Sequence, residues 1–235
     1  KNYNLNTKKQ SISENIQSII SQDSSLSHKY NNCLGSIDIG PGTFVPESLF
    51  EKSDINHYLN FTSKKHANNI CLYTKQNFSN SYSVFQMNNG LHEILQKNFN
   101  PVSLKHHSSL LADYFLHLST ASHPQLFTSI NANHFHIMLI HDQEFVFYNK
   151  FEFETTDEFL YHFLNCIKVL KLNINKTSLH INSNLEKDHD LLKQLTPHIS
   201  RFEFLKRPTK FLYENEIMKI SEHKNHHLFS QLICE

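Results

Sequence analysis

The chain has 235 residues, and 22 Lys and Arg balance 22 Asp and Glu, so the formal net charge is zero. This balance excludes the broad basic field with which many proteins gather nucleic acid. The 39% of hydrophobic residues can fill real cores, and no apolar run is long enough for a membrane helix.

Glycine is scarce, with four residues in the whole chain, against about sixteen at the usual ~7%. Because phosphate loops rely on glycine for close backbone approach, this scarcity argues against glycine-rich nucleotide sites and predicts no bound cofactor. The four cysteines are scattered without a C-x-x-C pair, which indicates reduced thiols and a cytoplasmic location.

The first half of the chain predicts alternating helices and strands. Isoleucines at helical spacing predict a helix within residues 11–30, and CLGSIDI predicts a buried strand that Gly40-Pro41-Gly42 terminates. PESLF predicts a short helix with proline in its first turn. NICLYT, YSVFQM and PVSLK predict strands, while residues 87–97 and SSLLADYFLHL predict helices.

The second half follows TASHP, which we take as the domain boundary. QLFTSIN, HFHIMLI and EFVFYNKFEF predict three successive strands, and TTDEFLYHFLNCIKVLKL is the clearest helix. Strand SLHINS, helix EKDHDLLKQL, strands near RFEFL and KFLYE and a last helix near HHLFSQL complete the pattern. The alternation predicts an α/β protein with domains at 1–121 and 122–235.

The order β-β-β-α-β-α in the second half resembles the ribonuclease-H-like unit that occurs twice in actin-like ATPases. FVPESLF…YLNF, VFYNKFEFETTDEFLYHFL and HHLFSQLICE resemble a family typical of Bacteroidetes, domain of unknown function 3822, over essentially all of the chain from about residue 11. The resemblance implies two ribonuclease-H-like lobes and no established activity. It also implies a strand pair before the first helix, which would precede Lys1 or be absent.

The stretch D-I-G-P-G-T at residues 38–43 has the residues of a phosphate-binding turn. In actin-like ATPases, however, the first phosphate turn lies in the opening hairpin, whereas this stretch follows a helix and a strand. Pro41 also lacks one of the N–H donors that a phosphate cradle needs. We therefore interpret the stretch as a strand-terminating turn.

The resemblance also indicates where the other nucleotide loops would lie. The second phosphate turn corresponds to Asn131-Ala132-Asn133, which has neither glycine nor a metal-binding Asp. The adenosine-side glycines correspond to Ser183-Asn184. Asn131, Asn133, Ser183 and Asn184 are the residues we expect to line an inter-lobe cleft.

Other groups of polar residues have structural interpretations that we prefer. Thr155 followed by Glu158 predicts a helix cap, although Glu154, Asp157 and Glu158 lie close enough in sequence to supply paired carboxylates for acid–base catalysis. His162 and Cys166 are four apart on a helix, but Cys166 falls on the apolar stripe.

The histidines and the basic residues are also better explained without a ligand. Eighteen histidines include His134 and His136 on one strand face, without the spacing of a zinc site, and we predict no metal. RFEFLKRPTKF alternates aromatic and basic residues, which could bind single-stranded nucleic acid or form a half-buried strand. We prefer the strand and expect no nucleic-acid partner.

These observations predict a cytoplasmic, non-catalytic interaction or assembly protein on a degenerate actin-like ATPase scaffold, with a protein partner and no membrane span. The alternative is a divergent ATP-binding protein, kinase or ATPase, that uses the inter-lobe cleft. Only fold analogy supports the alternative, and function depends on sites rather than folds.

Overall fold

The structure, a computed structural model, describes residues 3, 5, 11–60, 68–120, 122–199 and 201–233. The chain divides into two compact units, and each comprises two segments. Unit 1 contains Lys1–Gln76 and Asn80–Ser109, and unit 2 contains Asn77–Ser79 and Leu110–Glu235. The division into lobes at residues 121 and 122 stays a prediction.

The described residues of unit 1 form two small sheets and three complete helices. Its helices are α1 (Ile12–Gln22), α2 (Ile55–Asn60) and α3 (Asn89–Asn98). Its strands are β1 (Cys33–Ile37), β2 (Gly42–Pro46), β3 (Asn69–Lys75), β4 (Ser81–Asn88) and β5 (Val102–His106). β1 and β5 form a parallel pair, and β2, β4 and β3 form an antiparallel sheet in that order.

Local sequence explains how α1 begins and how β4 divides the core of unit 1. Ser11 and Glu14 form a capping box, in which each side chain accepts a hydrogen bond from the other residue's backbone N–H. Along β4, alternate side chains face opposite sides of the sheet. Phe85 therefore packs with the apolar residues of α1 and α3, whereas Val84 packs in a second cluster.

The described part of unit 2 forms a five-stranded sheet with helices on both faces. Its strands are β6 (Gln125–Ile130), β7 (His134–His141), β8 (Glu144–Glu152), β9 (Ser178–Ser183) and β10 (Phe202–Phe204). The helices are α4 (His107–Leu118, from Leu110 onward in unit 2), α5 (Thr156–Val169), α6 (Asp190–Leu195), α7 (Asn215–Met218) and α8 (His226–Ser230). The strand order is β10-β9-β6-β7-β8, with β9 parallel to both of its neighbours and β7 antiparallel to both of its own.

The two faces of this sheet are packed by different helices. On one face, Phe135 of β7 packs against Phe159 and Phe163 of α5, and all three are fully buried. On the other face, Phe115 of α4 stacks on Phe127 of β6 at 4.6 Å between ring centroids. The sheet is therefore covered on both sides, as expected where β9 joins it through the α5 crossover.

Most predicted elements are confirmed, with identifiable exceptions. The predicted strand at KFLYE is wrong, because residues 211–214 are irregular and Tyr213 instead packs on Phe229 and donates a hydrogen bond to Pro208 O. β2, α2 and α7 were not predicted. PESLF contains a 3₁₀ turn at Glu47–Leu49.

None of the described helices is both long and apolar enough to cross a membrane.

Candidate functional site

The four sequence-predicted residues lie together at one edge of the sheet in unit 2. β6 and β9 are parallel, and Ile130 pairs with Ser183 where both strands end. Asn131 and Asn133 follow β6, whereas Asn184 follows Ser183 directly. Ligands of α/β proteins bind outside the carboxyl ends of parallel strands. Unit 2 thus places these residues at the edge where such a fold holds its ligand.

The Ser183 side chain links the loop after β9 to the end of β6 by hydrogen bonds. Its side chain is buried, and its hydroxyl donates a hydrogen bond to Ile130 O at 3.0 Å while accepting one from Leu185 N at 3.2 Å. One residue earlier, the Asn182 amide donates to Ser129 Oγ at 3.0 Å. A glycine at 183 would leave open backbone here, but the serine joins the ends of both strands.

The turn between β6 and β7 is organised around an imidazole ring. The Asn131 amide nitrogen lies 3.0 Å from His134 Nε2, and His134 Nδ1 lies 3.0 Å from Asn133 Oδ1. Asn131 N also donates to His134 O at 2.9 Å. The turn has side-chain contacts where a phosphate loop has open N–H groups.

Asn184 joins the other loop of this edge to the C-terminal segment. Its Oδ1 accepts a hydrogen bond from Asn225 N at 2.7 Å, and Asn225 adopts a left-handed conformation with φ of 56°. His223 Nε2 lies 3.1 Å from Leu185 O, and Lys224 pairs with Glu186. The loop after β9 is therefore tied to residues 223–225.

Close contacts within unit 1 explain both glycines of the D-I-G-P-G-T turn. Gly40 has φ of 89°, and a Cβ there would lie 2.6 Å from Gln86 O. A Cβ on Gly42 would lie 2.9 Å from the His106 ring. Pro41 O accepts a hydrogen bond from Gln86 N at 3.0 Å. These contacts fix the turn against β4 and β5 and support the strand-terminating interpretation.

The capping interpretation of ETTDEF has direct geometric support. Thr155 Oγ1 accepts a hydrogen bond from Glu158 N at 3.2 Å at the start of α5. Glu158 Oε2 accepts from Glu154 N at 2.7 Å, one residue earlier than in a standard capping box. The Thr155 hydroxyl and the Glu158 carboxylate are thus placed to stabilise the helix start.

His162 and Cys166 on α5 are both engaged in packing. Cys166 lies in the core, and burial raises the pKa of its thiol to about 11. His162 stacks on Phe151 with 5.0 Å between ring centroids. Because a thiol with so high a pKa holds almost no thiolate at neutral pH, it is a poor nucleophile.

Arg207, in the basic C-terminal stretch, makes its contacts within unit 2. It is buried, its guanidinium donates hydrogen bonds to Ile217 O at 2.5 Å and Ile220 O at 2.8 Å, and it lies over the rings of Tyr213 and Phe229. This arginine organises the segment after β10 and is not available to a phosphate backbone.

Sequence reasoning missed an apolar cavity of about 580 Å³ beside β1 in unit 1. Every residue from Asn32 to Ile39 lines it, together with apolar side chains of α1, α3 and β5. In the sequence, this cavity is indicated only by the absence of charged residues from CLGSI. That absence does not show which side of the strand is open. This cavity has the volume of an ordinary ligand pocket, about 300–1,000 Å³.

Comparison with solved structures defines the class of fold. A Bacteroides thetaiotaomicron protein described as having an actin-like ATPase fold and unknown function matches with a TM-score of 0.81 and 20% identity, over 97% of this chain and 83% of that chain. The PilM–PilN type IV pilus biogenesis complex matches with a TM-score of 0.59 and 10% identity, over 94% of this chain and 84% of that chain. The protein has the actin-like ATPase fold.

The family follows from the sequence. The model of the protein family of unknown function DUF3822 matches residues 1–202, and the chain belongs to this family. The search of curated proteins finds none that matches. The resemblance inferred from VP-x-x-LF and the neighbouring motifs is confirmed.

Proposed function

We propose that this chain is a non-catalytic, cytoplasmic interaction or assembly protein on an actin-like ATPase scaffold whose nucleotide loops have degenerated. Its partner is another protein. The scattered cysteines support the cytoplasmic location.

One observation carries the proposal, namely the hydrogen bonds of Ser183. In a nucleotide-binding member of this fold, the carboxyl ends of the parallel strands offer open backbone. Here the Ser183 hydroxyl bridges Ile130 O and Leu185 N, and it does so while buried. A nucleotide would have to break these hydrogen bonds, of which the one to Ile130 O is buried, before it could approach the backbone. Leaving a buried group unsatisfied costs about 1–3 kcal/mol.

The β6–β7 turn supports the same conclusion. Its amide and imidazole groups contact one another, and Asn133 O accepts a hydrogen bond from Phe153 N at 3.0 Å. The PilM–PilN complex lends independent support, since that structure contains a protein of this fold in an assembly with another protein.

A thermal melt of the complete gene product tests the proposal. It is measured alone, with Mg-ATP, with Mg-ADP, and with magnesium and inorganic phosphate as the control for ions. A ligand at a hundred times its Kd stabilises the native state by about 2.7 kcal/mol. For a chain of this size that is a rise in Tm of about 5–10 °C.

We expect no nucleotide-specific rise at millimolar concentration. A rise of several degrees with ATP or ADP, absent with phosphate, would refute the proposal and support the divergent ATPase instead. The variants to make in that case are Asn131→Ala, Asn133→Ala and Ser183→Ala. A nucleotide shift that these changes abolish would locate the site at the ends of β6 and β9.

A further inference from the structure

We propose that His134 and His136 of β7 bind a divalent transition metal such as Zn²⁺, with the carboxylate of Glu152 on β8 as a third ligand. All three residues belong to unit 2, and water would complete the coordination of the ion. The site goes beyond the proposed function, because a scaffold of this kind needs no metal to bind a partner.

The two histidines lie on the same face of β7. Residues two apart on a strand point to the same side of the sheet, and the rings of His134 and His136 are 5.5 Å apart between centroids. A nitrogen of one ring lies within 4.8 Å of a nitrogen of the other. Around a tetrahedral zinc ion, with Zn–N distances of about 2.0–2.1 Å, two ligand nitrogens are about 3.4 Å apart. Small rotations of the rings would therefore bring both nitrogens to one ion.

An oxygen atom lies beside the Nδ1 atom of each ring. His134 Nδ1 is 3.0 Å from Asn133 Oδ1, and His136 Nδ1 is 3.1 Å from the hydroxyl of Tyr148. A histidine that binds a metal through Nε2 carries its proton on Nδ1 and donates it to an acceptor that fixes the ring. These two oxygens are therefore placed to orient both rings for metal binding through Nε2.

Metal binding at His134 Nε2 would replace one contact in the β6–β7 turn. The Asn131 amide nitrogen lies 3.0 Å from this atom. A half-turn of the amide would direct its oxygen toward the ion instead of its nitrogen. The backbone of the turn need not change, because Asn131 N donates to His134 O at 2.9 Å. Binding thus costs one side-chain hydrogen bond.

The register of β8 adds a carboxylate to the two imidazoles. Glu152 pairs with His134, and directly opposite side chains of an antiparallel pair have Cβ atoms about 4.5–5.5 Å apart on one face. The other face of these two strands holds Phe135 and Phe151, which pack in the core with α5. Glu152 is exposed at the end of β8, so its side chain can rotate toward an ion bound to His134.

Burial and ligand chemistry favour a transition metal at this place. His136 is 1% exposed, whereas His134 is half-buried and Glu152 is exposed. An ion would therefore enter from the side of His134 and Glu152. Imidazole nitrogens suit zinc, copper, iron and nickel, whereas magnesium and calcium prefer oxygen ligands. We therefore expect the site to select Zn²⁺ over Mg²⁺.

The sequence predicts no metal because only ligand spacing along the chain is visible in it. In a strand pair the register supplies the third ligand, and Glu152 lies opposite His134 although the two residues belong to different strands. The HFH segment therefore forms part of a ligand set that no linear motif describes.

Zinc titration of the complete gene product tests the proposal. Any polyhistidine tag is removed, and the affinity is measured by competition with a chromophoric zinc chelator. The chain has 18 histidines, so weak binding elsewhere is expected and only the tightest site is assigned. We expect one tightly bound Zn²⁺ per chain. Co²⁺ in its place should give the visible d–d absorption of a four- or five-coordinate complex.

Substitutions on the two strands identify the ligands. Loss of a residue that only supports a ligand costs about 10–100-fold in metal affinity, so His134→Ala and His136→Ala should each cost more than about a hundredfold. Tyr148→Phe removes the oxygen beside His136 Nδ1 and should weaken binding about tenfold. His141→Ala is the control, because His141 is exposed at the end of the same strand. It should leave the affinity of the tight site unchanged.

A matched pair of charge changes on β8 tests the carboxylate. Glu152→Gln removes a negative charge opposite His134 and should weaken binding at least about tenfold. Lys150→Gln removes a positive charge opposite His136 and should not weaken binding, because it reduces repulsion of a cation. Neither residue is buried, so both variants should fold even where His136→Ala does not.

Three results would contradict the proposal. A tight zinc site that survives both His134→Ala and Glu152→Gln would lie elsewhere in the chain. Zinc bound only at the weak sites would show adventitious ions only. Equal weakening by Glu152→Gln and Lys150→Gln would refute Glu152 as a ligand.

The tests of the metal site and of the proposed function fail separately. The nucleotide melts contain magnesium, for which a pair of imidazoles is a poor site, and the zinc titrations contain no nucleotide. A nucleotide-induced rise in Tm refutes the non-catalytic scaffold whatever zinc does. A flat nucleotide melt without a tight zinc site refutes only the metal site on β7.

Discussion

Ser183→Ala is the substitution that tests most directly how the edge of unit 2 is closed. The change removes one hydroxyl from a buried position and leaves Leu185 N and Ile130 O without that partner. Leaving a buried backbone group unsatisfied costs about 1–3 kcal/mol. A loss of about 2 kcal/mol corresponds to a fall in Tm of about 4–8 °C for a chain of this size.

The assay is urea unfolding followed by far-ultraviolet circular dichroism, since the chain contains no tryptophan for fluorescence. Ser178→Ala is the matched control, because it makes the same change at the other end of β9, where Ser178 Oγ contacts the exposed His123 at 3.1 Å. We expect this control to lie within about 0.5 kcal/mol of the parent chain. A Ser183→Ala variant as stable as the control would show that the hydroxyl does not close the edge.

Two further predictions concern titratable groups in unit 2. Burial lowers the pKa of His180 from its ordinary value of 6.5, although Glu203 at 2.9 Å opposes the shift. The unfolded chain therefore binds more protons, so stability present above about pH 6.5 is lost as the pH falls below it. Urea unfolding at pH 7 and pH 5 should show a smaller loss for His180→Gln than for the parent, and equal losses would contradict this account. The pKa of the Cys166 thiol is raised to about 11, so in the native protein at pH 8 it should react with N-ethylmaleimide at least about tenfold more slowly than Cys33. In urea the two thiols should react at similar rates. Fast native alkylation of Cys166 would refute its assignment to the core.

The sequence predicted those parts of the fold whose signals are local. α5 has its apolar side chains at helical spacing and a Thr155 cap, and the strands β6, β7 and β8 follow one another across tight turns. The structure confirms each of them. The family motifs then extended these local predictions to the actin-like ATPase fold.

The errors arose where distant residues decide the conformation. KFLYE alternates like a strand, but Tyr213 packs on Phe229 and lies beneath Arg207, so no sheet forms there. β2 was missed because Gly42 begins it directly after a turn that looked like a terminator. Alternation records which faces are apolar and not whether a partner strand exists.

For the candidate site, the positions of the residues could be predicted from the sequence, but their hydrogen bonds could not. The structure places Asn131, Asn133, Ser183 and Asn184 at one sheet edge of unit 2, because strand order fixes which loops are neighbours. That these residues line an inter-lobe cleft stays a prediction. Their hydrogen bonds were not predictable, since Ser183 reaches a carbonyl 53 positions earlier in the chain. The cavity beside β1 was equally hidden, because it depends on β1 pairing with the distant β5.

The parallel pairing of β6 with β9 also has a consequence for synthesis of the chain. The antiparallel strands β6, β7 and β8 can pair soon after each is made, but β9 follows only after the whole of α5. Asn182 and Ser129 are 53 positions apart, and at about 5–20 residues per second the ribosome needs about 3–10 s to add that length. For this interval one edge of β6 has no strand to pair with. A nascent chain stalled before Ser178 should therefore be the form most prone to aggregation or chaperone capture, and release of Ser183 should make it less so.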